Sequence, residues 1–251
     1  MASTTPLNVL VFSKTTGYRH DSIPAGIRMF HKLANDAKFF NVTASEDASL
    51  FTSSSLTQYH VIVLLQNIGD AIFTPPELDA LKIWVRNGGG IVAIHGAAAA
   101  MQGNECYTKL IGASFDMHPD PEAGTILPEK ASQEHQIMRC CGGREGWKDE
   151  WYNFHTHPRE NKNLQILLRG DPETFSGGKH GADHPLALGL FAINTTLFDV
   201  TTSLLDIDTR LLGIDAGLFG IDAGFWGINF CLFGINIQVP VNAAIFAIAL
   251  L

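Results

Sequence analysis

The sequence carries little positive charge. Of its 251 residues, 17 are Lys or Arg and 25 are Asp or Glu, which gives a formal net charge of -8. A protein that binds nucleic acid needs a concentration of Lys and Arg to neutralise phosphates. The composition therefore predicts that nucleic acid is not a partner.

Cysteines are also few, and they are poorly placed for structural pairing. The four are Cys106, Cys140, Cys141 and Cys231, and no two of them have the C-x-x-C spacing of a zinc or redox motif. Residues 1–6 contain no basic segment followed by an apolar stretch, so we expect no signal peptide. Reduced thiols and the lack of a leader together predict a cytoplasmic protein.

Two common catalytic motifs are missing as well. Neither G-x-G-x-x-G nor G-x-x-x-x-G-K-[ST] occurs at a strand-to-helix turn, which excludes the usual phosphate-binding loops. The nucleophile elbow of many hydrolases would place Ser or Cys directly after a buried strand, but His95 stands there instead. Acyl transfer of the Ser-His or Cys-His type therefore lacks its nucleophile at this position.

What the sequence does contain is a series of short apolar runs, each followed by polar residues. These runs predict strands over residues 7–12, 39–43, 61–65, 91–94 and 164–168. The run at 91–94 has no polar face, which is typical of a parallel sheet covered by helices on both sides. Amphipathic helices are predicted to begin near Ser22 and Thr74. This alternation predicts an α/β fold with a doubly wound parallel sheet.

In such a fold the loops that follow the strands meet at one edge of the sheet, where ligands bind. We predict that polar residues on three of these loops line a substrate pocket. They are Lys14, Tyr18, Arg19 and His20 on the first loop, Asn67 and Asp70 on the third, and His95 on the fourth. The structural alternative is that Lys14 and Arg19 are solvated and that Asp70 caps a turn.

Acidic, aromatic and histidine residues are concentrated in two later segments. Residues 149–159 contain Glu150, Trp151 and Tyr152, and the segment that follows the last predicted strand contains Asp183 and His184. Aromatic faces beside carboxylates hold sugar rings, because the CH faces of a sugar are apolar while its hydroxyls need hydrogen-bond partners. The alternative is that Trp151 and Tyr152 belong to the core.

Several segments resemble, in order and spacing, the trehalose-utilisation (ThuA-like) family. They are VFSKTTGYRHDSI (11–23), GGGIVAIHGA (88–97), LIGA (110–113), HP (118–119), DEWYNF (149–154) and GADHP (181–185). The resemblance implies the fold of class I glutamine amidotransferases without their nucleophilic cysteine, a flavodoxin-like three-layer α/β/α sandwich with a mostly parallel sheet. It also implies a role in the use of trehalose or a related disaccharide or keto-glycoside. A small-molecule carbohydrate and a sugar oxidoreductase are the implied partners.

The positions that match the family offer a site for this chemistry. We assign catalysis to His20, His95, Glu150 and His184, and substrate binding to His118, Trp151, Tyr152, Asp183 and the loop residues Lys14, Tyr18, Arg19, Asn67 and Asp70. Neutral imidazoles beside a carboxylate can exchange protons with a sugar hydroxyl or with the carbon next to a keto group. They can also bind a divalent metal ion, for which His20, His95 and His184 are the candidate ligands. The sequence leaves these two alternatives open.

The resemblance ends near residue 187, where the family would continue with a further strand and a closing helix. We therefore expect a C-terminally incomplete α/β domain over residues 1–187, followed by a low-complexity apolar tail over residues 188–251. The tail contains seven successive heptads, from LFAINTT (190–196) to LFGINIQ (232–238). Leu or Phe occupies the first place of each heptad, and Ile or Val occupies the fourth.

This spacing matches a coiled-coil seam, but glycine at the third place of the last four heptads disfavours a helix. A period of seven does not suit a strand either. Asp215, Asp222 and Pro240 argue against a membrane span. Our interpretation is that the tail translates a tandem DNA repeat. The alternative function for the whole chain is a non-catalytic interaction protein that self-associates through this heptad-repeat tail.

Overall fold

The central sheet consists of four parallel strands, as the apolar runs predict. They are β1 (Leu7–Phe12), β2 (Phe40–Ser45), β3 (Val61–Leu65) and β4 (Gly90–Ile94), and their order in the sheet is β2-β1-β3-β4. The structure is a computed structural model, and it describes residues 6–135, 137–138 and 142–190. The predicted heptad tail lies outside the described residues except for residues 188–190.

Helices connect these strands and cover the two faces of the sheet. They are α1 (Ile23–Ala37), α2 (Ser53–Leu56), α3 (Pro75–Arg86) and α4 (Glu105–Ile111). Because crossovers between parallel strands are right-handed, α1 lies on one face while α2 and α3 lie on the other. The strand order and the two helical layers confirm the flavodoxin-like α/β/α sandwich. Among the described residues, no helix has the length and apolar character needed to cross a membrane.

The two predicted helix starts differ in how they are formed. Thr74 begins α3 with a capping box, in which Oε2 of Glu77 accepts a hydrogen bond of 2.7 Å from the backbone N–H of Thr74. Ser22 precedes α1 but makes no side-chain cap. Its hydroxyl instead bonds the side-chain amide of Gln66, the residue that follows β3. Ser22 therefore connects the loop after β1 to the end of β3 rather than capping its own helix.

A second sheet follows the parallel one in the chain, and its strands are antiparallel. Its four strands lie in the order β10-β9-β6-β7, and they are β6 (Glu122–Pro128), β7 (Arg144–Asp149), β9 (Leu164–Gly170) and β10 (His184–Leu190). A separate two-stranded sheet is formed by β5 (Phe115–Met117) and β8 (Asn153–Phe154). The strand predicted at 164–168 is therefore present as β9, but it pairs antiparallel. The link from β9 to β10 contains no helix, whereas a parallel crossover usually needs one.

The turn after β4 is sharp and holds His95 in an uncommon backbone conformation. His95 has φ 50°, in the left-handed region, and begins the short 3₁₀ helix His95–Ala99. A residue other than glycine adopts this conformation only when its surroundings enforce it. Gly96 permits the close approach of the loop after β3, because a Cβ atom on Gly96 would lie 2.7 Å from Cγ1 of Ile68. The turn thus has the geometry of a nucleophile elbow with a histidine in the nucleophile's place.

The variant Gly96→Ala tests this packing. We expect it to lower the free energy of unfolding by about 1–3 kcal/mol, because the added methyl group overpacks the contact with Ile68. The control is Gly142→Ala, where the new Cβ would meet no described atom within 4 Å and where we expect a change of less than about 0.5 kcal/mol. Urea denaturation followed by circular dichroism measures both values. Equal stability of the two variants would contradict the proposed close approach.

Candidate functional site

The candidate site lies at the carboxyl ends of β1, β3 and β4. The connections from β1 and β3 leave in opposite directions, because β2 lies on one side of this pair of strands and β4 lies on the other. A crevice opens at such a switch point, and open α/β sheets bind ligands there. His20 stands on the loop after β1, and His95 follows β4 directly.

Three histidines and one carboxylate meet at this edge. The Nε2 atom of His95 lies 2.9 Å from Nε2 of His20 and 3.3 Å from Oε2 of Glu150. The same carboxylate oxygen lies 3.4 Å from Nε2 of His118. We call this group, His20, His95, His118 and Glu150, the His/Glu site. Glu150 comes from the loop between β7 and β8, so both halves of the fold contribute to it.

Aromatic rings form one wall of the His/Glu site. The ring of Tyr152 packs against His95 with centroids 4.5 Å apart, and it stacks on His118 at 5.7 Å with an interplanar angle of 11°. Phe115 contacts the Tyr152 ring at 4.4 Å. Tyr18 packs edge-on against His20 and is 67% exposed, which places an aromatic face at the solvent side.

The surroundings of the His/Glu site set its charge state. The hydrogen bond with His95, together with the electrostatic influence of the His95, His118 and His20 rings, lowers the pKa of Glu150, so this side chain is a carboxylate at neutral pH. Burial and the neighbouring His95 lower the pKa of His20 to about 4, so that ring is neutral. Burial raises the pKa of Tyr152, whose hydroxyl lies 3.2 Å from Nε2 of His95 and remains protonated.

His118 is held in one orientation by the backbone that follows it. Its Nδ1 lies 2.7 Å from the carbonyl oxygen of Pro119. Because a carbonyl oxygen can only accept, Nδ1 donates, and in the neutral form of the ring the lone pair lies on Nε2. That Nε2 atom faces Glu150, and the side chain is 32% exposed. Nε2 is therefore the nitrogen of His118 that can accept a proton.

His184, which the sequence assigns to the same site, lies elsewhere. It is the first residue of β10, is fully buried, and packs against Phe175 with ring centroids 4.8 Å apart. Its other ring contact in the described part of the chain is His180 at 5.9 Å. The prediction that His184 acts together with His20 and His95 is therefore corrected. A histidine next to a strand in the sequence does not reveal which sheet that strand joins.

Trp151 and Asp183 are likewise structural in this arrangement. Trp151 is fully buried and stacks on Phe175 with centroids 4.2 Å apart, and its indole N–H donates to the carbonyl oxygen of Glu122 at 3.0 Å. The core alternative is therefore correct for Trp151, which has no surface to offer a substrate, and it also holds for the ring of Tyr152, which is buried. Asp183 forms an ion pair with Arg159 that lowers the pKa of its carboxyl group.

Two residues of the first and third loops hold the loops in place. Asn67 is fully buried, and its amide donates to the carbonyl oxygens of Phe12, at 3.3 Å, and of Lys14, at 2.9 Å. The Lys14 ammonium group in turn donates to the carbonyl oxygen of Ile72 at 2.9 Å. These hydrogen bonds fix the ends of β1 and β3 relative to each other. The two side chains support the site and do not line it as predicted.

Asp70 and Arg19 also have partners within the protein. The carboxylate of Asp70 accepts a hydrogen bond of 2.8 Å from the backbone N–H of Gln102. Arg19 forms an exposed ion pair of 2.6 Å with Glu46. Both observations favour the structural alternative that the sequence leaves open for these residues. Of the four residues predicted on the first loop, Tyr18 and His20 remain available to a ligand.

Three residues near the site are not among the predicted site residues. Gln66 is buried, follows β3, and has φ 53°, so it occupies the same place after its strand as His95 does after β4. Burial raises the pKa of Asp149, whose carboxyl group has His95 among its electrostatic neighbours. Phe115 completes the aromatic wall. A polar residue that ends an apolar run, as in VIVLLQ, is the one sequence signal that identifies Gln66.

Comparison with known proteins identifies the family. A sequence model of the family described as trehalose utilisation (ThuA) matches residues 8–192, which is well over half of the chain. The chain belongs to the ThuA family. The match spans every residue of the His/Glu site and most of the two sheets. Among curated proteins there is no significant match.

Two solved structures support the ThuA fold. A ThuA-like protein from Bacteroides uniformis is 22% identical, with a TM-score of 0.61, and the alignment covers 75% of this chain and 79% of that chain. A ThuA-like protein from Parabacteroides merdae is 17% identical, with a TM-score of 0.56 and coverage of 75% and 76%. At these identities the likeness establishes the fold and leaves the reaction to be argued from the site.

The buried His184 predicts a specific loss of stability in acid. Burial and the neighbouring His180 lower its pKa to about 4, whereas an unfolded histidine titrates near 6.5. Between these values the unfolded chain binds a proton that the folded chain does not, so stability falls as the pH falls. We expect this histidine to account for about 2 kcal/mol of the stability lost between pH 7 and pH 5.

The variant His184→Leu removes this titration. Urea denaturation at pH 7 and pH 5 should therefore show a smaller loss of the free energy of unfolding than in the unmodified chain. The control is His31→Leu, an exposed position on α1, which should keep the pH dependence of the unmodified chain. If His184→Leu lost as much of the free energy of unfolding as the unmodified chain, the lowered pKa of His184 in the folded state would be contradicted.

Proposed function

We propose that this ThuA protein binds a carbohydrate of the disaccharide or keto-glycoside class at the His/Glu site and processes it by proton transfer. The observation that carries the proposal is the position of Glu150, whose Oε2 lies between Nε2 of His95 and Nε2 of His118 at 3.3 and 3.4 Å. The family description, trehalose utilisation, supports the substrate class.

A sugar fits the chemical character of the site. Phe115, which is half-buried, supplies an apolar face against which the CH face of a pyranose ring can pack, and the buried ring of Tyr152 packs behind it. The imidazoles and the Glu150 carboxylate supply acceptors and donors for the hydroxyls around that ring. The exposed ring of Tyr18 stands beside His20 and offers a second aromatic face. Apolar surface with a few convergent polar groups is typical of small-molecule sites.

The proposed step is removal of a proton from the carbon next to a keto group. His118 is the proton acceptor, because its Nδ1 donates to the carbonyl oxygen of Pro119, so the lone pair of the neutral ring lies on Nε2, and because its side chain is 32% exposed. The C–H bond breaks and its proton passes to Nε2. The electron pair of that bond forms a C=C bond, and the π pair of the carbonyl group moves onto its oxygen to give an enolate. The Glu150 carboxylate stabilises the imidazolium that forms, and the protonated hydroxyl of Tyr152 can donate to a substrate oxygen.

The cytoplasmic location and the sugar oxidoreductase partner belong to the same proposal. An oxidoreductase that converts a sugar hydroxyl to a ketone would supply the substrate for this step. The alternative function, self-association through the heptad-repeat tail, is not favoured by the comparisons, since the family match concerns residues 8–192.

Hydrogen exchange at the substrate carbon tests the proposal. The full chain is incubated in D2O with trehalose, with other disaccharides and with their keto derivatives. Proton NMR follows the signal of the hydrogen on the carbon next to the carbonyl group. We expect that signal to disappear for a keto derivative and to persist for the parent sugar. His118→Asn should slow the exchange by about 10²–10⁴-fold, the usual contribution of a general base.

The matched control is His31→Asn, which replaces an exposed histidine on α1 and should leave the rate unchanged. Calorimetric titration of the same sugars separates binding from chemistry. Equal rates in His118→Asn and the unmodified chain would overturn the assignment of His118, and a lack of binding by every sugar would overturn the proposed substrate class.

A further inference from the structure

We propose that His20, His95 and Glu150 bind a divalent transition-metal ion. Each residue offers one ligand atom, and these three atoms all lie within 4.8 Å of one another. Two ligand atoms that are each about 2.0–2.1 Å from the same zinc ion lie about 2.9–3.4 Å from each other. The separations of His95 Nε2 from His20 Nε2, 2.9 Å, and from Glu150 Oε2, 3.3 Å, fall in this range. They are the separations of neighbouring ligands on one ion.

Hydrogen bonds alone do not satisfy this arrangement. The Nε2 atom of His95 faces Nε2 of His20, the hydroxyl of Tyr152 at 3.2 Å and the carboxylate of Glu150. A neutral imidazole nitrogen carries either one hydrogen or one lone pair, and a carboxylate only accepts. When His95 Nε2 carries its hydrogen, that hydrogen is donated to one neighbour, as in the hydrogen bond to Glu150, and the other two are left unserved. When it carries a lone pair, that lone pair opposes the charge of Glu150. A cation between them would accept electron pairs from both rings and from the carboxylate.

The opposite ring nitrogens are compatible with metal binding. Nδ1 of His20 and Nδ1 of His95 are both buried, and neither has a hydrogen-bond partner in the described part of the chain. The tautomer of a histidine is set by the bond that its other nitrogen makes. Because neither a donor nor an acceptor faces either Nδ1 there, no contact fixes the tautomer, and each ring can carry its hydrogen on Nδ1 and present a lone pair at Nε2. That is the form in which a neutral histidine binds a metal ion through Nε2.

The donor set indicates which metals are suitable. Imidazole nitrogen favours zinc, iron, copper and nickel, whereas magnesium and calcium prefer oxygen ligands. Two histidines with one carboxylate are the ligands of catalytic zinc sites and of non-haem iron sites, in which further positions stay open for water or substrate. Three protein ligands at the edge of a crevice therefore fit a catalytic ion better than a structural one.

An ion at this place would complete the chemistry of the site, and this step rests on the proposed function. The carbonyl oxygen of a keto sugar and the hydroxyl next to it are two oxygen ligands that an open coordination sphere can accept. When the proton passes to His118, the electron pair of the C–H bond forms a C=C bond and the π pair of the carbonyl group moves onto its oxygen. A cation beside that oxygen stabilises the negative charge that develops there.

Metal titration without any sugar tests the site on its own. The full chain, carrying no histidine tag, is treated with a chelator and then titrated with Zn²⁺, Co²⁺ and Mg²⁺ in a calorimeter. We expect one equivalent of Zn²⁺ or Co²⁺ to bind, the Co²⁺ form to gain visible absorption bands, and Mg²⁺ not to compete. His20→Asn and Glu150→Gln should each weaken Zn²⁺ binding by more than about 100-fold, since changes outside the first ligands already cost 10–100-fold.

The matched controls are His31→Asn and Glu145→Gln, which replace an exposed histidine and an exposed glutamate away from the three ligands. Circular dichroism checks that every variant is folded. Zinc affinity that is unchanged in both ligand variants, or no binding by the unmodified chain, would overturn the metal proposal. Stoichiometric zinc binding without exchange of any keto sugar would instead uphold the ion and overturn the proposed function.

Discussion

The contact between His95 and Glu150 joins the two halves of the molecule at the site. His95 belongs to the parallel sheet, whereas Glu150 belongs to the loop between two antiparallel strands, and their side chains are 3.3 Å apart with His95 only 6% exposed. Glu150 is 23% exposed, so loss of this imidazole partner would leave a partly desolvated carboxylate with less compensation for its charge, which is costly. The position of the second sheet over the first is therefore coupled to the chemistry of the site.

The strained turns are held by the core beneath them. His95 and Gln66 both have positive φ and both follow strands whose residues are almost entirely buried, such as Leu64 and Ile94. Hydrogen bonds from the amide of Asn67 to two carbonyl oxygens fix the adjacent loop. Strain of this kind persists only where surrounding contacts outweigh it. Asn67 and Lys14 are outside the His/Glu site, but their hydrogen bonds hold the loops after β1 and β3 at the edge of the sheet where the site lies.

The sequence predicts the parallel half of the fold well because its signals are local. A strand that is buried on both faces is a continuous apolar run, and the capping box at Thr74 is contained in four residues. The antiparallel half is predicted poorly, because a run such as 164–168 states that a strand exists but not which strand it pairs with. The family resemblance predicts a single site that contains all of the matching positions, His20, His95, His118, Glu150 and His184. The structure brings the first four together. His184 begins β10, which pairs with β9, and it lies outside the His/Glu site.

Histidine at the elbow changes what this turn can do. A serine or cysteine there would attack a substrate and hold it covalently, and the strained turn would serve to expose that nucleophile. An imidazole at the same place instead points Nε2 at a second histidine and a carboxylate, 2.9 and 3.3 Å away. Such a group can share a proton or a cation among its members. In the proposals made above, this turn therefore serves acid-base or metal-assisted chemistry, and the residue at the elbow forms no covalent bond with the substrate.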